Sequence, residues 1–260
     1  MPTPYGLPIW YELITTDAEA AKAFYGNIVG WTGSVFPMPD GGMPYHIWQA
    51  DGTGIGGMIE TERSPTGGPV WLAYFHVGDV DAKAADNGQA GGKAHLEPTD
   101  LPGIGRIALL EDPQGVVFYV MTPDPAMGDT GTTSFSPDLP MRCAWNELTA
   151  LDTATAPPFY ESLLGLTSTE AMPMGAMGDY SFLDVGAVRI GAMMNRMAPE
   201  QPLRWTFYFR VPDVDAAAEQ VAAGGGTIVM GPMDVPGGER IVVAVDPQGA
   251  SVGFVSGVRA

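Results

Sequence analysis

The chain has 260 residues, and its 12 basic and 30 acidic side chains give a formal net charge of −18 at pH 7. This charge would repel a phosphate backbone or an anionic membrane, so we expect neither nucleic acid nor membrane as a partner. A single cysteine (Cys143), an N-terminal stretch without a signal-peptide pattern and apolar runs of only a few residues indicate a reduced, cytoplasmic protein.

The first module begins with a strand over residues 9–14, where hydrophobic and polar side chains alternate between two faces. Residues 16–19 have the spacing of a capping box, and Gly30 is placed to end the helix that follows. Residues 35–42, rich in Pro, Gly and Met, are interpreted as an open loop. Strands are predicted over 45–50 and 54–60, across a turn at Asp51-Gly52.

The same order of elements then recurs. It comprises a strand over 70–77, a helix that stops at Gly91-Gly92, and strands over 106–111 and 116–121 joined by a type I turn at 112–115. The composition of 125–140 is that of a linker. We therefore predict one domain over 1–124, the linker over 125–140 and a second domain over 141–260.

The second half repeats the first at a nearly constant offset. Trp10-Tyr11-Glu12-Leu13 returns as Trp145-Asn146-Glu147-Leu148 (145 − 10 = 135), and Asp-Pro-Gln-Gly at 112–115 returns at 246–249 (246 − 112 = 134). Both halves are thus expected to fold alike. Pro157-Pro158 lies inside the third predicted helix, so that helix should start late, after Thr155, and be short.

The chain has four tandem β-α-β-β-β modules, a Phe-Tyr pair after the first strand of each half (Phe24-Tyr25 and Phe159-Tyr160) and Asp-Pro-x-Gly before the last strand of each half. Together these features resemble the vicinal oxygen chelate superfamily. This superfamily contains glyoxalases, bleomycin-resistance proteins and extradiol dioxygenases. The chain is most similar to two-domain bacterial members described as glyoxalase-like or as hydroxylases. The resemblance implies an α+β fold in which the modules form two U-shaped, open, eight-stranded barrels with the helices outside and a cavity inside.

Metal-dependent members of this superfamily carry His, Gln or Glu on the first and last strands of the modules. In this chain the corresponding positions are occupied by Trp10, Leu72, Trp145, Thr206, Tyr119, Gly253, a residue near Met58 or Glu60, and Met193. We therefore expect no metal site of the family type and no cofactor. A divalent metal ion held by an unusual set such as Glu12, Glu60 and His76 is the alternative.

Strand alternation predicts which side chains face the cavities. Glu12 and Glu147 are the candidate catalytic residues, because a carboxylate can accept a proton or a hydrogen bond from a ligand. The predicted ligand-binding residues around them are Trp10, Tyr74, His76, Tyr119, Trp145, Thr206, Tyr208 and Arg210. In a competing interpretation, Glu–Tyr and Glu–Arg pairs between modules only satisfy each other's hydrogen bonds.

Methionines are concentrated where the chain would cross each cavity mouth. Met38 and Met43 in the first half, and Met172 and Met174 in the second, are predicted to form lids that adapt to an apolar ligand. Core filling is the competing explanation for methionines on the neighbouring strands.

These features predict a metal-independent protein of the glyoxalase and bleomycin-resistance type. It would bind a small, partly aromatic molecule, with or without weak acid–base catalysis, as a monomer or homodimer. The alternative is a divalent-metal-dependent lyase or dioxygenase of the lactoylglutathione lyase type, which would make the chain a lyase or an oxidoreductase. A protein-binding scaffold without a ligand is a third hypothesis.

Overall fold

The computed structural model describes residues 3–36, 44–127 and 132–257, and within them the chain forms four successive modules of one strand, one helix and three strands. Module I consists of β1 (Pro8–Thr15), α1 (Ala18–Val29), β2 (Thr32–Phe36), β3 (Tyr45–Ala50) and β4 (Thr53–Glu60). Module II consists of β5 (Val70–His76), α2 (Val80–Gln89), β6 (Lys93–Leu101), β7 (Gly105–Glu111) and β8 (Val117–Pro123).

The second half of the chain repeats this order. Module III consists of β9 (Cys143–Ala150), α3 (Ala156–Leu164), β10 (Ala171–Pro173), β11 (Asp179–Val185) and β12 (Val188–Asn195). Module IV consists of β13 (Arg204–Arg210), α4 (Val214–Ala223), β14 (Thr227–Val235), β15 (Glu239–Val245) and β16 (Ser251–Gly257). The predicted α+β class with tandem βαβββ modules is confirmed.

The strands form two eight-stranded mixed sheets. Their orders are β2-β3-β4-β1-β5-β8-β7-β6 and β10-β11-β12-β9-β13-β16-β15-β14. Within modules I and III the first strand pairs in parallel with the last, so Glu12 lies beside Gly57 and Glu147 lies beside Ala192. This register determines which residues surround each glutamate.

Local sequence explains the helix ends, with one correction. The expected capping box begins at Thr16, but the N-cap of α1 is Asp17. The Asp17 carboxylate accepts a hydrogen bond from the Ala20 amide at 2.9 Å. Gly30 ends α1 in the left-handed region at φ 87°. As predicted, α3 begins after Thr155 and has nine residues against twelve in α1, because prolines are tolerated only in a first turn.

The open loop predicted over 35–42 is wrong at its start. Val35 and Phe36 belong to β2, where they pair with His46 and Tyr45 of β3. Val35 and Phe36 favour strands themselves, and the Pro-, Gly- and Met-rich residues that follow them concealed this. The remainder of the predicted loop, residues 37–42, lies outside the described residues.

The contacts of the chain divide it into two compact units. One, here called the I–IV unit, contains residues 10–71, 133–145 and 206–260. The other, the II–III unit, contains residues 1–9, 72–132 and 146–205. Each unit combines a module of the first half with a module of the second half. The predicted domain boundaries at 124 and 141 stay predictions.

A buried Tyr–Asp hydrogen bond lies in the core of each unit. In the I–IV unit Tyr25 donates its hydroxyl to Asp246 Oδ2 at 2.9 Å, and Trp71 Nε1 donates to the same hydroxyl at 2.8 Å. In the II–III unit Tyr160 donates to Asp112 Oδ2 at 2.8 Å. The Phe-Tyr and Asp-Pro-x-Gly motifs thus meet inside each unit, and each pair joins the two halves of the sequence.

The other oxygen of each aspartate organises its own turn. Oδ1 of Asp112 accepts the amides of Gln114 and Val116, and Oδ1 of Asp246 accepts those of residues 248–250. Burial raises the pKa of both carboxyl groups, although these hydrogen bonds oppose the rise. The two motifs therefore have an explanation in folding.

Candidate functional site

Module I contains a series of two hydrogen bonds that links three side chains on one face of its sheet. Trp10 Nε1 donates to the Tyr45 hydroxyl at 2.9 Å, and that hydroxyl donates to Glu12 Oε2 at 3.0 Å. Only 1% of Glu12 is exposed, which is rare for a carboxylate and is tolerated because it is hydrogen-bonded. Trp10 and Glu12 were predicted to lie together, whereas Tyr45 was missed.

Gly57 allows this arrangement. It lies directly beside Glu12, and a Cβ atom added at this glycine would overlap the hydroxyl and ring of Tyr45. Tyr45 therefore lies across the backbone of β4, in space that any other residue at this position would fill. The glycine and the tyrosine form one structural feature with Glu12.

Module III contains a related but more open pair. Tyr180 donates its hydroxyl to Glu147 Oε2 at 2.7 Å, a length typical of hydrogen bonds to a charged acceptor. Glu147 and Tyr180 are both partly exposed. The tyrosine could have been found in the sequence, since its offset from Tyr45 equals that of the glutamates (180 − 45 = 135 and 147 − 12 = 135).

Apolar side chains adjoin the Glu147–Tyr180 pair. The ring of Phe182 lies edge-on to that of Tyr180, with centroids 5.9 Å apart, and Phe182 is opposite Ala192 in the register. Met172 is opposite Tyr180 on β10. Both Phe182 and Met172 are partly exposed, so this part of module III offers an aromatic and thioether surface beside a carboxylate.

The Met-rich lids are only partly described. Met172 lies on β10, and Met174 directly precedes a short 3-10 turn, Gly175–Met177; both are partly exposed. Met38 and Met43 lie outside the described residues. A lid role for the four methionines stays a prediction.

In module II the predicted residues Tyr74 and Tyr119 come together. Their rings stack with centroids 4.0 Å apart and an interplanar angle of 7°, since the two residues are direct neighbours on β5 and β8. His76 lies instead against the N-terminal residues that precede β1. Its Nδ1 is 3.2 Å from the Pro4 carbonyl oxygen, and its ring centroid is 5.0 Å from that of Tyr5.

In module IV Tyr208 takes part in an apolar cluster. A Cβ at Gly253 would overlap its ring, so the tyrosine lies flat on β16. Trp145 packs against this cluster, and Thr206 is buried nearby on β13. Arg210 donates to the Pro137 carbonyl and to Glu239 Oε1, both at 2.6 Å, so it anchors the linker.

The described residues contain no group of three or more His, Cys, Asp or Glu side chains that could hold a metal ion. The members of the alternative set each have other partners: Glu60 Oε2 accepts the amide of Ala18 at the start of α1, while Glu12 and His76 have the contacts given above. Indole groups at Trp10 and Trp145 supply no metal ligand.

These modules and their motifs define the class of protein. The chain belongs to the Glyoxalase/Bleomycin resistance protein/Dioxygenase superfamily, whose profile matches residues 8–120 and 144–254. No helix among the described residues is long and apolar enough to cross a membrane.

Curated relatives cover nearly the whole chain. "Putative glyoxylase CFP32" of Mycobacterium tuberculosis (strain CDC 1551 / Oshkosh) is 33% identical over 252 residues, which is 94% of this chain and 92% of that protein. "Anthracycline biosynthesis protein DauV" of Streptomyces sp. (strain C5) is 29% identical over 96% of this chain and 93% of that protein.

Among solved structures, the Mn(II)-bound glyoxalase from Novosphingobium aromaticivorans is similar with a TM-score of 0.65 and 17% identity. The match covers 98% of this chain and 83% of that chain. At this identity the similarity shows a shared fold.

Proposed function

We propose that this protein binds a small, partly aromatic molecule in module III, where Glu147 and Tyr180 supply the polar contacts. The observation that carries the proposal is the partly exposed Glu147–Tyr180 pair, with its 2.7 Å hydrogen bond, beside the partly exposed Phe182 and Met172. A few polar groups within an apolar surface are typical of small-molecule sites. The relative named for anthracycline biosynthesis supports an aromatic ligand.

The chemistry available at this pair is hydrogen bonding and modest proton transfer. A carboxylate can accept the proton of a phenol or enol, or a proton next to a carbonyl group. The Tyr180 hydroxyl, already oriented by Glu147, would hold that carboxylate in position. We therefore expect ligand binding as the primary activity, with any turnover limited to proton transfer.

The ligand binding that we propose needs no metal ion. It is supported by the indole side chains at the expected ligand positions and by the separate partners of Glu12, Glu60 and His76. The second candidate is a metal-dependent lyase or dioxygenase, which the similarity to a Mn(II)-bound glyoxalase favours. Elemental analysis of protein purified without chelators separates the two, because one equivalent of a divalent metal per chain would contradict our proposal.

Binding is tested with alizarin, a dihydroxyanthraquinone with an aromatic body and acidic hydroxyl groups, by calorimetric titration. The Glu147→Gln variant should weaken binding about tenfold or more, because a hydrogen bond to a charged group contributes roughly 1.5–3 kcal/mol. Glu161→Gln, which changes an exposed glutamate on α3 of the same unit, is the matched control and should bind as the wild type does. Failure of alizarin and a panel of related hydroxyanthraquinones to bind would refute the proposal.

A further inference from the structure

The two Glu–Tyr pairs are related by the sequence repeat, yet they differ at the residue beside the glutamate. In module I that residue is Gly57, and in module III it is Ala192, at the same offset as the glutamates (192 − 57 = 135). Both neighbours occupy the same register position, next to the carboxylate-bearing residue on the parallel strand. The difference is a single methyl group.

The methyl group matters because of where the tyrosine lies. The Tyr45 phenol occupies the space that a Cβ at Gly57 would need. Ala192 has such a Cβ and is itself fully buried, so Tyr180 cannot lie in the corresponding place. Tyr180 still reaches its glutamate, at 2.7 Å.

The exposure of the two carboxylates follows the same division. Glu12, beside the glycine, is 1% exposed, while Glu147, beside the alanine, is partly exposed. The residue opposite the glycine is Ile47 and the residue opposite the alanine is Phe182, so module III also has the aromatic side chain. In module I the Glu12 carboxylate is covered while Trp10 and Tyr45 are themselves partly exposed; in module III the glutamate itself is partly exposed.

We infer that the choice of glycine or alanine at this position decides which Glu–Tyr pair can meet a ligand. Gly57 lets Tyr45 cover Glu12, which makes the first pair a structural element. Ala192 holds Tyr180 off the strand and leaves Glu147 open, so ligand binding takes place in module III. This inference rests on the proposed function for its ligand, but the accessibility of the two carboxylates is testable without one.

The test is carboxyl labelling with a water-soluble carbodiimide and glycine ethyl ester, read out by peptide mass spectrometry. In the wild type, Glu147 and the exposed reference Glu161 should be modified, and Glu12 should not. In Gly57→Ala, Tyr45 is displaced and Glu12 should become modified. In Ala192→Gly, Tyr180 can settle across β12, and the modification of Glu147 should fall relative to Glu161.

The outcomes separate this inference from the proposed function. Equal modification of Glu12 and Glu147 in the wild type, or unchanged modification of Glu147 in Ala192→Gly, would overturn the inference. If Gly57→Ala does not fold, Ala192→Gly still decides, since it removes a methyl group and introduces no overlap. Absence of binding of alizarin and of the related hydroxyanthraquinones, together with the expected labelling, would refute the proposed function alone.

A binding measurement adds a second, independent criterion. Wild-type protein should bind one equivalent of alizarin per chain, and Ala192→Gly should weaken that binding about tenfold if Glu147 loses a charge-assisted contact with the ligand. Two equivalents of equal affinity per chain would overturn the inference, because both pairs would then be open.

Discussion

Replacing Tyr25 by phenylalanine should destabilise the protein more than the equivalent change at Tyr160. The first variant loses the hydrogen bond to Asp246 and also removes the acceptor of Trp71 Nε1, an indole that is only 2% exposed. The second loses the hydrogen bond to Asp112. Trp205, which takes the place of Trp71, lies close enough to the Tyr160 hydroxyl to oppose the rise of its pKa, but its Nε1 makes no hydrogen bond of good geometry among the described residues, so less is lost there.

The expected magnitudes follow from these contacts. A hydrogen bond to a charged acceptor contributes about 1.5–3 kcal/mol, and a buried donor left without a partner costs about 1–3 kcal/mol more. Tyr160→Phe should therefore lower the free energy of unfolding by about 1.5–3 kcal/mol, and Tyr25→Phe by about 2.5–6 kcal/mol. Both side chains are fully buried, so little solvent screening reduces these values.

The assay is urea denaturation followed by tryptophan fluorescence and by far-UV circular dichroism. Agreement between the two probes tests whether unfolding is two-state, which the comparison of free energies requires. A cost for Tyr160→Phe equal to or larger than that for Tyr25→Phe would refute the reasoning from Trp71. Costs below about 0.5 kcal/mol in both variants would refute the structural role of the Tyr–Asp pairs.

Two further predictions concern stability. Burial lowers the pKa of His46, and the nearby Lys22 charge lowers it further. The stability that the neutral histidine contributes is therefore complete above its usual pKa of 6.5, and it is lost as the pH falls through the folded-state pKa. In urea titrations the wild type should lose stability relative to His46→Gln below pH 6.5, and parallel curves would contradict this. A Cβ at Gly191 would overlap the Asn146 carbonyl, so Gly191→Ala should lower the thermal midpoint strongly. The control Gly88→Ala, in an exposed helical position with open space, should raise stability by about 0.5–1 kcal/mol. A higher midpoint for Gly191→Ala than for the control would contradict the packing argument.

The motifs that identify the superfamily have a physical explanation in this chain. Phe-Tyr and Asp-Pro-x-Gly are far apart in the sequence, but each tyrosine meets the aspartate of the other half in a buried hydrogen bond. Both aspartates also accept the amides of their own turns. In this chain, therefore, both motifs have a role in folding, and neither identifies a ligand.

The two buried pairs have different surroundings. Tyr25 lies among Trp31, Trp48 and Trp71, with ring centroids 5.3–5.9 Å away. Tyr160 has one tryptophan neighbour in its own unit among the described residues, Trp205, at 5.6 Å. Tryptophan fluorescence should therefore report mainly on the I–IV unit, and circular dichroism is needed to follow the other unit.

The candidate site was only partly predictable. The sequence repeat relates Glu12 to Glu147, and the strand register places them at corresponding positions beside Gly57 and Ala192. Their catalytic role stays a prediction. Tyr45 and Tyr180 were missed because a cross-strand partner depends on the register of β3 and β11, which alternation alone does not give. Arg210 and His76, which were predicted to face the cavities, contact the carbonyls of Pro137 and Pro4. Their part in ligand binding stays a prediction.

Sequence patterns alone determined the module order, the repeat and most helix and strand positions, because these depend on local periodicity, caps and turns. Tertiary structure alone decided that module I shares a compact unit with module IV, and module II with module III, since such contacts join residues more than a hundred positions apart. It also decided the difference between the two Glu–Tyr pairs. In the sequence Gly57 and Ala192 are a minor exchange; in the fold, the presence or absence of one Cβ beside a glutamate determines where a tyrosine can lie.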